Sequence, residues 1–236
     1  MKIIELYKRK RPVISFEIFP PKPDVPLDTI FESIEGFKLL SPDFISVTYG
    51  AGGSQRGRTV EIASRIKNWY GIESMSHLTC VGHTAEEIDD LLLQMKQQNI
   101  SNILALRGDP PQDQPDFDFS KGAFKYANEL IEYTNSKHDF CIAAAAYLEG
   151  HVDSRRLSED RKYLKIKVDA GVDFLITQLF FDNLYFYNFY EKALKKGINI
   201  PISAGIMPIL SRSQIEKMIF MCGASLPSKI VRLLNK

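Results

Sequence analysis

SMSHLTCVGHTAEEIDDLLLQMKQQNISNILALRGD, residues 74–109, carries one complete strand–helix–strand unit. SMSHLTC (74–80) and NILALRG (102–108) are short apolar runs bounded by turn residues, which is the pattern of strands. TAEEIDDLLLQMKQQ lies between them. It opens with Thr84 and, three residues on, Glu87, the pairing of a capping box at a helix start. A helix connecting two such strands implies a parallel pair with a right-handed crossover.

The same alternation extends in both directions. Strands are predicted at VISFEIF (13–19), FISVTYG (44–50), FCIAAAAY (140–147), FLITQLFF (174–181) and IPISAGIM (200–207). TIFESIEGFKLL carries Ile30, Ile34 and Phe37 at helical spacing. FKYANELIEYTN (124–135) precedes the fifth strand, and SEDRKYLKIKVDAG ends at Gly171, a normal C-cap residue. SRSQIEKMIFMCGASLPSKIVRLLNK (211–236) reads as helical to its end.

Strict alternation leaves two architectures, an open doubly wound sheet or a closed (β/α)8 TIM-type barrel. Near-even strand spacing favours the barrel. So do the polar residues at the C-terminal strand ends: Glu17, Thr48, His77, Thr79, Arg107, Asp109, Tyr147, Glu149 and Gln178. A doubly wound sheet gathers its site at one switch point instead. YGAGGSQRG has Gly50 and Gly52, but Gln55 stands where a dinucleotide fingerprint needs its third glycine. The expectation there is a tight turn. Seven strands are found where a closed barrel has eight. The expected explanation is a longer natural chain, or another segment or subunit that closes the gap. No linker, low-complexity tract or charge block divides residues 1–236, so one domain is expected.

Composition bounds the function. Thirty basic and twenty-nine acidic side chains leave a net charge of +1, so no general field attracts nucleic acid or an anionic membrane. Cys80, Cys141 and Cys222 form no CxxC, which argues against a thiolate metal site and a disulfide framework. MKIIELYKRKRP is no signal peptide, and no apolar run spans a bilayer. A cytoplasmic protein is the expectation.

SFEIFPPK (15–22) holds the most expensive residue, Glu17. Alternation puts Ile14, Phe16 and Ile18 on one face, toward outer helices. Val13, Ser15, Glu17 and Phe19 take the other face, toward the lumen. The prolines at 20 and 21 stop the strand, so Glu17 sits near the rim. Two readings stay open: a structural carboxylate paired with Arg107, or a functional acid. His77 and Thr79 share a lumen face, and no second histidine is spaced for metal. Arg107 and Asp109 suit an ion pair, or contacts to a phosphate, ribose or polar ring edge. Asp160 and Lys167 lie two turns apart on one helix, where a solvated salt-bridge surface is the default. Gln178, an amide on an apolar strand, must find partners and could offer both donor and acceptor to a heterocycle. Gln214 follows Ser211 by three residues, again a capping box.

SFEIFPPK, SVTYGAGG, HLTC, ILALRGDPP, YANEL, AAYLEGH, KVDAG, TQLFFD and GIMP, in this order and spacing, resemble the methylenetetrahydrofolate reductase family, a (β/α)8 flavoprotein family. The resemblance covers nearly the whole chain. It implies FAD as cofactor, oxidation of NADH or NADPH, and reduction of 5,10-methylenetetrahydrofolate to the 5-methyl form. Glu17 matches the catalytic acid, with a raised pKa expected. Asp109 matches a residue that faces the pterin and influences the flavin. Thr48, His77, Leu106, Arg107, Gly108, Asp109, Tyr126, Tyr147, His151, Asp160 and Lys167 match FAD contacts. Gln178, Gln214 and Met218 match the substrate side.

Departures stand beside these matches. Leu148 replaces a common proline, Tyr163 and Ile166 stand at often polar positions, and Met218 stands where an aromatic residue often packs. The resemblance leaves open the electron donor (NADH, NADPH or a partner protein) and homo-oligomerisation. Two rivals are a truncated, non-catalytic barrel that binds flavin or folate, and an aldolase-type barrel with a Schiff-base lysine. Placement of Lys167 on a helix weighs against the second.

Overall fold

The computed structural model describes residues 1–50, 56–110, 117–152, 154 and 156–234. Its strands are β1 (Ser15–Ile18), β2 (Phe44–Val47), β3 (Glu73–Thr79), β4 (Asn102–Leu106), β5 (Cys141–Ala146), β6 (Phe174–Thr177) and β7 (Ile202–Ser203). Helices are α1 (Ile4–Arg9), α2 (Asp28–Lys38), α3 (Arg56–Asn68), α4 (Ala85–Gln97), α5 (Ala127–Lys137), α6 (Leu157–Asp169), α7 (Asn183–Lys195), α8 (Arg212–Cys222) and α9 (Ser228–Leu234).

Hydrogen-bonded neighbours run in chain order, β1-β2-β3-β4-β5-β6-β7. The pairs β1–β2, β2–β3, β3–β4, β4–β5 and β6–β7 are parallel. A doubly wound sheet would reverse its order at a switch point. Sequential order is that of the (β/α)8 TIM-type class, and seven of its strands are found among the described residues.

The chain divides into two compact units. The first comprises Met1–Ala144 with Ala170–Asp173, the second Ala145–Asp169 with Phe174–Lys236. In the first unit, register fixes which side chains share a face. Glu17 lies beside Ser46, Ser46 beside Met75, and His77 beside Leu104. Met75, His77 and Thr79 therefore share the face of Glu17, as do Leu104 and Leu106. Phe16 points the other way and stacks on Phe37 of α2, with ring centroids 5.0 Å apart.

Helix α4 shows how the sequence places this layer. Thr84 Oγ1 accepts from the Glu87 amide and Glu87 Oε2 accepts from the Thr84 amide, at 3.2 and 3.0 Å. Ile88, Leu91, Leu92 and Met95, one helical stripe, are buried. Each such side chain contributes ~1.5–3 kcal/mol relative to exposure. Helix α1 was not foreseen from MKIIELYKRKRP. It is tied down by the Ile3 amide, which donates to Asn102 Oδ1 at 2.7 Å. Asn102 Nδ2 in turn donates to Glu73 Oε1 and the Ser74 carbonyl.

In the second unit, the Gln178 amide donates to the Ala146 carbonyl and the Leu175 amide to the Pro201 carbonyl. The segment 211–236 is not one helix. Gly223 takes the left-handed conformation at φ 65°, caps α8, and α9 begins after Pro227. β1, β3 and β5 end one residue before their expected ends, and β2, β4, β6 and β7 two to four residues before theirs. The apolar residues beyond them belong to rim loops. Gly50 and Gly108, at φ 79° and 87°, turn the chain there. Gly52 and Gln55 lie outside the described residues.

Candidate active site

The first unit gathers polar groups at the C-terminal ends of β1 to β4. Glu17 Oε2 lies 3.4 Å from His77 Nε2. Glu17 remains 46% exposed, whereas His77 is buried. Its Nε2 has no partner of hydrogen-bond geometry, and neither has the buried Thr79 Oγ1 one turn of the pleat further along the same face. Two orphaned polar atoms on one strand face suit a polar ligand.

Glu17 departs from expectation in two ways. Its neighbour is His77, while the Arg107 guanidinium lies over the Phe119 ring at 4.8 Å. Leu104 and Leu106 occupy the Glu17 face of β4, and Arg107 lies one residue past the end of that strand. Desolvation raises the carboxyl pKa, but the proximity of His77 outweighs it. The net pKa lies below the ordinary carboxylate value, opposite to the raised pKa expected of an acid.

The backbone around Arg107 is fixed by its neighbours. The amide of Val81 donates to the Arg107 carbonyl, and that of Cys80 to Leu106. A Cβ on Gly108 would sit 2.6 Å from Val81 Cγ1 and 2.9 Å from Thr79 Cβ. Only glycine fits this contact, which brings bare backbone to the rim. Asp109 is exposed beside it. Thr48 is held at both ends: its amide donates to the Ile18 carbonyl, and its carbonyl accepts from Thr59 Oγ1. Tyr126 is exposed at the start of α5, its amide bonded to Glu129 Oε2.

The second unit brings four further candidates together. Tyr147 and His151 meet edge to face, with centroids 4.7 Å apart. Asp160 Oδ1 accepts from the His151 amide and from Ser154 Oγ, both at 3.3 Å. Lys167 Nζ donates to the Ala145 carbonyl at 2.6 Å and lies 5.8 Å from the Tyr147 ring. Burial pushes the Lys167 pKa down to about 8, against the opposing pull of Asp160. The lysine and aspartate are therefore no solvated salt-bridge surface. Gln178 Oε1 accepts from the next residue's amide, Leu179, at 2.8 Å. Gln214 performs a capping task, its amide donating to Ser211 Oγ and its Oε1 accepting from the Leu210 amide. Met218, on α8, is half-buried.

Arg58 was missed. Its guanidinium donates to the carbonyls of Pro21, Lys22, Val25 and Pro23 at 3.2, 2.7, 2.9 and 2.6 Å. Backbone carbonyls leave no side-chain signal in a sequence, so only the proline density of 20–26 could have pointed to a missing donor.

Among the described residues, no group of three or more His, Cys, Asp or Glu side chains is placed to hold a metal. No helix among them is long and apolar enough to cross a membrane.

The family model and the curated relatives point to one family. A family model described as methylenetetrahydrofolate reductase matches residues 2–236. A probable methylenetetrahydrofolate reductase (NADH) of Oryza sativa is 40% identical over all of this chain, which spans 42% of that protein. The 5,10-methylenetetrahydrofolate reductases of Pectobacterium carotovorum and Escherichia coli are 36% and 34% identical. They are matched over 91% and 94% of this chain and 70% and 73% of theirs. In structure, the chain resembles a Clostridium thermocellum protein described as binding two copies of 5-methyl-5,6,7,8-tetrahydrofolic acid. The TM-score is 0.64 at 16% identity, covering 98% of this chain and 77% of that one, a likeness of fold. With a family match over nearly its full length and bacterial relatives covered over more than two thirds of theirs, the chain belongs to the methylenetetrahydrofolate reductase family.

Proposed function

We propose that this chain reduces 5,10-methylenetetrahydrofolate to 5-methyltetrahydrofolate with electrons from a reduced nicotinamide and FAD as cofactor. The single observation that carries the reading, beyond family membership, is the approach of Glu17 to the buried His77 Nε2 on the same face as the unsatisfied Thr79 hydroxyl. An ionisable rim carboxyl with adjacent unpaired donors and acceptors suits proton transfer to a polar heterocycle.

The residues available fit FAD chemically. Thr48, His77, Leu106, Arg107, Gly108, Asp109 and Tyr126 of the first unit are assigned to it. So are Tyr147, His151, Asp160 and Lys167 of the second. Lys167 offers a cation for a diphosphate, and Gly108 offers backbone that no side chain screens. When bound, FAD supplies two-electron hydride carriage from the nicotinamide to the folate.

Glu17 supplies the proton. Opening the methylene bridge breaks a carbon–nitrogen bond, and the leaving nitrogen needs that proton while the carbon takes a hydride to become the methyl group. Glu17 is held as a carboxylate by His77. To act as acid it must lose that contact or be further desolvated, and a ligand covering its exposed side does the second. Gln178, Gln214 and Met218 are assigned to the substrate side, with Asp109 facing the reacting rings. The name of the rice relative makes NADH the first donor to test.

The test is anaerobic. The purified chain, loaded with FAD, is mixed with NADH and then with 5,10-methylenetetrahydrofolate. Bleaching followed by recovery of flavin absorbance, with 5-methyltetrahydrofolate formed, supports the reading. Failure to take up FAD contradicts it.

A further inference from the structure

The segment leaving β1 is PPKPDVP, residues 20–26. Four of its seven residues are prolines and lack an amide hydrogen, so the segment cannot satisfy its own carbonyls. One internal bond is present, from the Val25 amide to the Lys22 carbonyl. Thr29 Oγ1 donates to the Pro26 carbonyl, and four further carbonyls are met by Arg58 in the first turn of α3. Nη1 donates to Pro21, Lys22 and Val25, and Nη2 to Pro23. A planar guanidinium with several fixed donors is the side chain that can gather carbonyls from one curved segment.

The next residue does the same for the neighbouring strand. Thr59 Oγ1 donates to the Thr48 carbonyl at 2.9 Å, and the Thr48 amide donates to the Ile18 carbonyl at 3.0 Å. Residues 58 and 59 therefore clamp the exits of both β1 and β2. Glu17 stands one residue before Ile18 and four before Pro21, so its backbone is fixed on the downstream side by this clamp. Its own side chain is half open to solvent, with His77 Nε2 at 3.4 Å. The backbone is what sets its direction.

We propose that Arg58 is a positioning residue for Glu17, acting through the carbonyls of Pro21, Lys22, Pro23 and Val25. The inference rests on the reductase reading above. It predicts a selective defect. Proton delivery to the folate depends on where Glu17 points, while reduction of bound flavin by the nicotinamide does not.

Arg58→Ala is compared with the wild-type holoenzyme in the two half-reactions measured separately, with flavin content and Tm recorded for both. Arg58→Lys, which keeps the charge and part of the donor set, is carried alongside in case the alanine variant fails to fold. The expected result has three parts. Flavin reduction by NADH stays within about twofold of wild type, reoxidation by 5,10-methylenetetrahydrofolate slows at least about tenfold, and methylguanidine restores part of the loss in the alanine variant. The lysine variant should show the same selective slowing to a smaller degree. Equal slowing of both half-reactions, or of neither, in the variants overturns the positioning role. A wild-type protein that shows neither half-reaction fails the reductase reading instead, so the two failures are distinct.

Discussion

Glu17 Oε2 and His77 Nε2 stand 3.4 Å apart at the ends of β1 and β3, two strands that are not neighbours. The contact bridges over β2, whose Ser46 lies beside Glu17. It makes the resting state of Glu17 a carboxylate. His77→Ala removes the neighbour that lowers its pKa and leaves desolvation, which raises it. The carboxyl pKa of residue 17, read by carbon-detected NMR of labelled protein, is expected to rise in the variant above its wild-type value. An unchanged value would mean that His77 does not control the protonation of Glu17.

Gly108 supports a stability prediction. Its φ of 87° disfavours any L side chain, and an added Cβ meets Val81 and Thr79 below van der Waals distance. Gly108→Ala should cost about 2 kcal/mol or more, lowering Tm by roughly 4–8 °C for a chain of this size. A melt within one degree of wild type would show that the rim loop yields without cost.

Lys167 and stability pull in opposite directions. Burial depresses its pKa to about 8, so the folded chain binds fewer protons than the unfolded one between about pH 8 and the free value. Its contribution to stability therefore improves as pH rises through that window. Lys167→Met removes the desolvated cation and should leave Tm at pH 7 equal or higher, while FAD affinity falls at least about tenfold. Fluorescence titration with FAD and a thermal melt check both halves. Lost stability with intact affinity would make Lys167 structural.

A second pH effect comes from the α4–α5 contact. Asp89 accepts from Tyr133 Oη and Lys137 Nζ, and its Oδ1 lies 3.0 Å from His138 Nε2. The His138 hydrogen bond, and after it those of Tyr133 and Lys137, hold its pKa at about 2 against weak desolvation. The unfolded value is about 3.9. The stabilisation is fully present above the unfolded value and is lost as pH falls toward 2. Asp89→Asn should cost on the order of 1 kcal/mol near neutrality, and the difference from wild type should shrink below about pH 3. Urea titrations at pH 7 and pH 3 measure this, and a constant difference would contradict it.

The alternation of strands and helices was legible because each element carries a local signal. The capping box at Thr84 and Glu87 formed as read, and the face shared by Glu17, His77 and Thr79 follows from period two alone. Helix α1 was not legible, because nothing local distinguishes a short basic segment that Asn102 anchors from a frayed terminus. Strand ends were overrun because apolar residues continue into rim loops, where φ and not hydropathy ends the strand. Of the two readings of Glu17, the structural one named Arg107 as its partner, since charge suggests a pair. Arg107 instead lies past the end of β4, over Phe119, and His77 comes within 3.4 Å of Glu17. The raised pKa expected of Glu17 came from desolvation at the rim, which is present but outweighed by His77. Arg58 was invisible because its ligands are carbonyls 33–37 residues upstream.

The role of Glu17 as proton donor is the central claim, and separated half-reactions of Glu17→Gln test it most directly. Glutamine keeps the shape and cannot release a proton. Stopped-flow absorbance should show flavin reduction by NADH within a few-fold of wild type and reoxidation by 5,10-methylenetetrahydrofolate slowed by at least about 10²-fold, the scale of a lost general acid. Reoxidation at the wild-type rate, or equal loss in both half-reactions, would contradict the account.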